Sequence, residues 1–365
     1  MAAAKKIKIL LLIEQISVAY KYFENLAAEL STNDLFEIEI FNLCADEAVN
    51  EKLSKVCRRL YTLPKDRPYK KQLLAVCRII RNCKADIIHA HETIPAFYGA
   101  MALMLNFSFK KLIFHRHHSY YRDTAIHFME RIAFVRCNLS ISVSQTSLEQ
   151  AQREHPSGKK KMTLIYNGVT LKDTGIPLPI DISQFNNKLV LVAWFVEGKG
   201  HELAMDAINI VRQTVPDVTL FFAGDGDIRT HLEELIIAKK LEQHVIILGA
   251  VNNMYSLLSQ VDISILPSKA EAFNLSILET FAAKKLSIAS DLPSIRECIT
   301  DKQTGVLIDS SEPQQLASEI IYYLQHPDER NRIAENGFRK YHSDFTTEIM
   351  SEHIGGCYKK LVKLT

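Results

Sequence analysis

Short apolar runs alternate with amphipathic stretches along all 365 residues, and this alternation limits the chain to few folds. In the first half the runs are KIKILLLI (6–13), FEIEIFNL (36–43), DIIHA (86–90), KLIFH (111–115), LSISVS (139–144) and MTLIYN (162–167). Between them lie segments with helical spacing, such as YFENLAAEL (22–30) and QLLAVCRIIRNC (72–83). Runs that are apolar along their length suit strands covered on both faces, and the intervening helices supply the cover. The expected class is α/β, with parallel sheets.

A stretch rich in Pro, Ile and Asp, DTGIPLPIDISQFNN (173–187), interrupts the pattern and reads as a linker. The alternation restarts with KLVLVAWF (188–195), VTLFFAG (218–224), HVIILGA (244–250), DISILP (262–267) and LSIAS (286–290). Helical segments such as HELAMDAINIVRQT (201–214) separate these strands. Two Rossmann-like domains follow, spanning 1–172 and 188–340. Ligands of open parallel sheets bind at the carboxyl ends of the strands, and a cleft between two such domains is the expected site.

Composition excludes several classes. The chain is 47% hydrophobic and 24% charged, as a globular protein with sizeable cores should be. Its seven cysteines are scattered with no C-x-x-C, which predicts reduced thiols in a cytoplasmic protein and neither a disulfide frame nor a zinc site. The start, MAAAKKIKILLLIEQ, has a short apolar stretch broken by Lys8 and closed by Glu14, so it reads as a first strand. No apolar run approaches the roughly 20 residues of a membrane helix.

Charge is divided unevenly. Residues 1–172 hold 26 Lys and Arg against 16 Asp and Glu, whereas 173–365 hold 18 against 26. Between 55 and 84 stand ten basic residues, with Asp66 the only acid. Such a field suits an anionic partner, either phosphate groups or a membrane surface. A solvated helix face is the plainer reading of the same residues.

The segment SKAEAFNLSILET (268–280) follows the apolar run VDISILP. Asn274 is a good N-cap for the helical run after it, and the amides of Leu275 and Ser276 would form the positive end of that helix. A helix start of this kind receives phosphate. Glu271 precedes the helix and Glu279 lies inside it, so a ligand with phosphates on the helix start would meet two carboxylates. Carboxylates accept hydrogen bonds from sugar hydroxyls.

EAFNLSILE resembles the E-x7-E signature of the retaining glycosyltransferases of family 4, which have the GT-B fold of two Rossmann-like domains facing a central cleft. NGV (167–169), KGHELAMDA (199–207), AGDGDIRTHLEEL (223–235) and TGVLID (304–309) are similar to further segments of that family, in the same order. DIIHAH (86–91) and IFHRHHSYYRD (113–123) resemble its histidine-bearing loops. The resemblance implies that Lys199 neutralises the donor diphosphate, that Glu279 binds the ribose, and that Glu271 approaches the donor sugar. It implies that His117 lines the cleft near the reacting sugar, with His115 and His118 close in sequence. It also implies a C-terminal helix, 341–365, that crosses back to the first domain.

Four features depart from the family's pattern. Ala193-Trp194 stand where the family has Gly-Arg, which leaves Lys199 as a point charge without a bidentate fork. Ala272 and Asn274 replace glycines, Lys284 occupies another glycine position, and IEQISVAYKY carries no glycine-rich loop. Asp225-Gly226-Asp227 spells a metal-binding D-x-D but reads better as a tight turn. His89 and His91 are read as alternating between faces, which does not favour a shared metal.

The function implied is transfer of a sugar, with retention, from a nucleotide-sugar donor to an anionic or lipid-linked glycan acceptor. Envelope polysaccharide or lipopolysaccharide assembly is the expected setting, on the inner face of the membrane. No cofactor, metal or nucleic acid is expected, and peripheral membrane contact would run through 55–84. A GT-B sugar-nucleotide epimerase or a non-catalytic nucleotide-sugar-binding protein would use the same donor residues.

Overall fold

The computed structural model describes residues 6–14, 20–44, 46–64, 69–117 and 124–362. The chain divides into two compact units, Met1–Asn167 with Thr347–Thr365, and Gly168–Thr346.

The first unit runs β1 (Ile7–Ile13), α1 (Tyr20–Ser31), β2 (Phe36–Asn42), α2 (Glu47–Ser54), β3 (Arg59–Thr62), α3 (Tyr69–Asn82), β4 (Ile87–His91), α4 (Thr93–Leu105), β5 (Lys111–Arg116), α5 (Thr124–Arg136), β6 (Leu139–Ser142), α6 (Gln145–Glu154) and β7 (Met162–Leu164), with a 3-10 turn at Pro156–Lys161. Its seven parallel strands are ordered β3-β2-β1-β4-β5-β6-β7. Strand β1 shows why the runs lack alternation. Leu10 and Leu12 enter one core, while Ile9, Leu11 and Ile13 enter another on the opposite face. The basic region held one strand that its polar sequence hid: β3, RLYT, an edge strand paired to β2 and buried at none of its four positions.

The second unit runs β8 (Lys188–Val192), α7 (His201–Val211), β9 (Thr219–Ala223), α8 (Arg229–Ala238), β10 (Val245–Gly249), α9 (Met254–Gln260), β11 (Ile263–Leu266), α10 (Leu275–Ala282), β12 (Leu286–Ser290), α11 (Pro293–Arg296), β13 (Val306–Ile308), α12 (Pro313–Gln325) and α13 (Pro327–Asp344). The order is β10-β9-β8-β11-β12-β13, again all parallel. Residues 173–187 belong to this unit, where Ile182 is buried beside Val190 and Phe221. The last helix, α14 (Thr347–Leu361), belongs to the first unit, packing Met350, Ile354 and Tyr358 into the core beside α1.

Each sheet reverses its strand order once, between β1 and β4 in the first and between β8 and β11 in the second. Loops leave in opposite directions from such a pair, opening a crevice at the carboxyl ends of the strands. In the second sheet β8 and β11 pair over only Ile263↔Leu189 and Ser264↔Val190.

Candidate functional site

In the second unit the loops after β8 and β11 flank the switch point, and they are stitched together. The amide of Lys269 donates to the Gly198 carbonyl at 2.8 Å. Gly200, at φ 81°, lies so close to Pro267 that a Cβ there would sit 2.1 Å from the Pro267 oxygen. Only glycine meets both conditions. This seam sets Lys199 against Glu271, with Nζ donating to Oε1 at 2.7 Å. The Glu271 side chain is 7% exposed and that of Lys199 26%. Ser294 Oγ donates to the Glu271 carbonyl at 2.7 Å and fixes the loop from α11.

Asn274 caps α10 as its sequence position suggests, but its side chain takes one of the two amides expected to be open, that of Ser276. Oδ1 accepts from Ser276 N at 2.9 Å, from Ile277 N at 3.3 Å and from Ser276 Oγ at 2.6 Å. The Ser276 amide is thus taken, and an anion using it would displace the Asn274 side chain. Glu279 lies on the same helix, half-buried.

Sequence reasoning missed His201, the first residue of α7. It is buried edge-on against Phe195 and Phe222, and neither ring nitrogen has a hydrogen-bond partner. Burial, with Lys199 nearby, pushes its pKa down to about 4, so it is neutral at physiological pH. Trp194, after β8, is 45% exposed. Lys284, at the position where the family carries glycine, adopts φ 54°, a conformation that glycine takes at least cost.

Asp225-Gly226-Asp227 forms the loop after β9. Asp225 Oδ1 accepts from the Gly226 amide at 2.9 Å, and Oδ2 pairs with Arg229 at 3.4 Å. Gly226 lies against the Phe195 backbone, with no room for a Cβ. Among the described residues, the groups able to bring three ligands together lie in the first unit and include neither aspartate.

In the first unit the ends of β4 and β5 carry a stack of histidines. His89 and His91 stand two apart, and the structure corrects the expectation that they alternate faces. Their rings stack at 4.3 Å, as strand periodicity requires of i and i+2. His89 Nδ1 is 2.6 Å from Tyr358 Oη, and its Nε2 is 3.2 Å from His115 Nδ1. His91 Nδ1 is 2.9 Å from His117 Nε2, and the His117 ring stacks on His115 at 4.3 Å. Burial, followed by the neighbouring His117, holds His89 at about 3; burial and the adjacent rings hold His91 and His115 well below the ordinary 6.5. His89, His91 and His115 are therefore neutral at physiological pH. His117, at its edge, is half-buried, while His118 lies outside the described residues.

Ring nitrogens of His89, His91 and His115 come within 4.8 Å of one another. Both His89 nitrogens are engaged, by Tyr358 and His115. A second group, Glu130, Glu154 and His155, is occupied by Arg116, which pairs with Glu130 at 2.7 Å and with Glu154 at 3.3 Å. Glu92, directly after β4, holds φ 75° and ψ 167°, a backbone region that is nearly exclusive to glycine. Nothing in the residue type signals this.

The sequence matches two family profiles: Glycosyltransferase Family 4 over residues 21–173, and Glycosyl transferases group 1 over residues 180–340. Among curated proteins, it is 27% identical over 165 residues to an alpha-D-kanosaminyltransferase of Streptomyces kanamyceticus, covering 45% of this chain and 43% of that protein. It is 25% identical over 183 residues to the N-acetylgalactosamine-N,N'-diacetylbacillosaminyl-diphospho-undecaprenol 4-alpha-N-acetylgalactosaminyltransferase of Campylobacter jejuni, covering 50% and 49%. The chain thus spans less than half the length of either relative. Among solved structures, Anabaena Alr3699/HepE, crystallised with UDP and glucose, superposes with a TM-score of 0.83 at 20% identity, over 97% of this chain and 100% of that one.

Proposed function

This chain belongs to glycosyltransferase family 4, with the GT-B fold, and from that premise we propose that it moves a hexose, with retention, from a nucleotide-sugar to a glycan acceptor. The single observation that carries the reading is the Lys199–Glu271 pair, set across the second switch point beside the start of α10. A donor diphosphate would take Lys199 and displace Asn274 from the helix start, stabilising the leaving group electrostatically. Glu271, released from Lys199, would hold the hydroxyls of the donor sugar, and Glu279 would orient the ribose. His117 is the first unit's candidate for the reacting sugar. The chemistry assigned to these residues needs no metal.

The acceptor is proposed to be anionic or lipid-linked, as in envelope polysaccharide or lipopolysaccharide assembly at the inner face of the membrane. Support comes from the basic 55–84 region and from the diphospho-undecaprenol acceptor in the name of the Campylobacter relative. A thermal-shift series with uridine, guanosine and adenosine diphosphates tests the donor site. Binding to the native state raises the melting temperature by mass action. If none of the three shifts it at saturating concentration, the donor reading is wrong.

Trp194 favours a second reading, nucleotide-sugar binding without turnover, because it stands where the family places an arginine. Product analysis separates the two, since transfer requires that sugar appear on an acceptor.

A further inference from the structure

The histidines occupy the carboxyl edge of the first unit's sheet; its opposite edge, where strands begin, carries a different surface. The loop between α4 and β5 projects Phe107 and Phe109, 89% and 97% exposed. Leu105 and, at the end of α5, Val135 are also exposed, at 56% and 81%. Single exposed apolar side chains need no explanation. Two phenylalanines exposed on one short loop do.

The loop is also held. Asn106 Nδ2 donates to the Cys77 carbonyl at 2.9 Å, and the Ser108 amide to the Leu103 carbonyl at 2.9 Å. The Arg136 guanidinium donates to the Ser108 carbonyl at 2.8 Å, and Lys110 Nζ reaches the Cys83 carbonyl. Phe107 sits at φ 49°, the left-handed region that a bulky residue enters only at a cost. It is the left-handed residue that ends α4, with the Ser108 amide closing back on the Leu103 carbonyl.

Charge identifies the occupant. The four segments joined by these contacts and by Lys161, whose Nζ donates to the Cys137 carbonyl at 3.1 Å, are 81–85, 104–111, 131–138 and 155–161. They hold two, two, two and three Lys or Arg, and no Asp or Glu. Asp86, Glu130 and Glu154 abut these segments, but Glu130 is buried and both glutamates pair with Arg116. A surface with exposed aromatics and such an excess of positive charge is complementary to an anionic lipid bilayer. Aromatic rings settle at the headgroup level, basic side chains meet lipid phosphates, and their methylene stems cover apolar surface.

We infer that this edge of the first unit docks on an anionic membrane, Phe107 and Phe109 entering the headgroup boundary and the flanking Lys and Arg engaging the phosphates. The inference deepens the proposed lipid-side acceptor and moves the contact from the 55–84 region at large to this edge. It is read without substrate, so it and the donor assignment fail separately.

The test is co-sedimentation of the full chain with vesicles of phosphatidylcholine alone or mixed with phosphatidylglycerol. Binding to the mixed vesicles should be at least about tenfold stronger and should weaken with salt. The double variant Phe107→Asn, Phe109→Ser should lose about tenfold of that binding. Its melting temperature should hold or rise, because Asn tolerates the left-handed conformation, and the diphosphate thermal shift should be unchanged. Lys84→Glu with Lys160→Glu should reduce binding to the mixed vesicles only. Equal binding by wild type and the double variant, or no preference for the anionic vesicles, overturns the inference. So does a dimer in sedimentation velocity that the double variant dissolves, since the occupant would then be a second copy.

Discussion

The two sheets reverse at equivalent places, yet the carboxyl edges beside the two reversals are built from opposite chemistry. Beside β8 and β11 stands a charged pair, Lys199 with Glu271, next to a capped helix start. At β4 and β5 stand neutral imidazoles, stacked on one another and tied to Tyr358. A paired charge can be exchanged for another charge, which is the basis for proposing an anionic leaving group at the second unit. A buried neutral stack resists charging, so the first unit offers ring nitrogens and a fixed wall. The same topology thus supports two roles, and the side chains at the strand ends decide which.

The largest expected effect comes from acid, which should strike the first unit harder. The sign follows from the direction of the shifts. His89, His91 and His115 have folded pKa values below the unfolded value of about 6.5. As pH falls below that value the unfolded chain takes up protons that the folded one refuses, and stability is lost. For His89 the loss continues to about 3. At pH 5 His89 alone costs about 2 kcal/mol, and His91 and His115 act in the same direction. The first unit holds these three and His155, whose pKa burial also lowers; in the second, His201, at about 4, is the counterpart among the described residues. Hydrogen exchange at pH 5 and 7.5 should show the first unit opening before the second. Simultaneous opening would break the comparison.

Next comes the charged pair. Glu271→Gln should lower the transfer rate about a hundredfold or more. Bare nucleoside diphosphate should bind as well or better, since Lys199 is released. Glu279→Gln should instead weaken diphosphate binding about ten- to a hundredfold, the cost of a charge-assisted hydrogen bond. Titration calorimetry and initial rates on both variants sharpen the assignment. Two solvated helix glutamates would leave both readouts unmoved.

A smaller effect is expected at the cap. Asn274→Ala should cost about 1 kcal/mol of second-unit stability and free the Ser276 amide, with little loss of diphosphate affinity. Denaturant melts with and without diphosphate separate those terms. The smallest effect is expected from a strong chelator, which should leave donor binding and transfer essentially unchanged. Complete loss restored by manganese or magnesium would show that Asp225-Gly226-Asp227 had been misread.

What the sequence by itself determined is what arises within a few residues. The fully apolar runs report strands covered on both faces, because each neighbouring pair of residues serves opposite cores. Asn274 as a cap was legible because its partners are two and three residues away. The family's segments fixed the GT-B class through their order along the chain.

The tertiary structure alone decided the rest, because these contacts join residues far apart in the chain. Lys199 and Glu271 are 72 positions apart, and only the β8–β11 adjacency brings them together. His89 meets Tyr358 across 269 positions. β3 escaped notice because an edge strand can be polar where it faces water. The exposure of Phe107 and Phe109 could not be read from composition, since apolar residues in a short loop look like core until the fold leaves them outside.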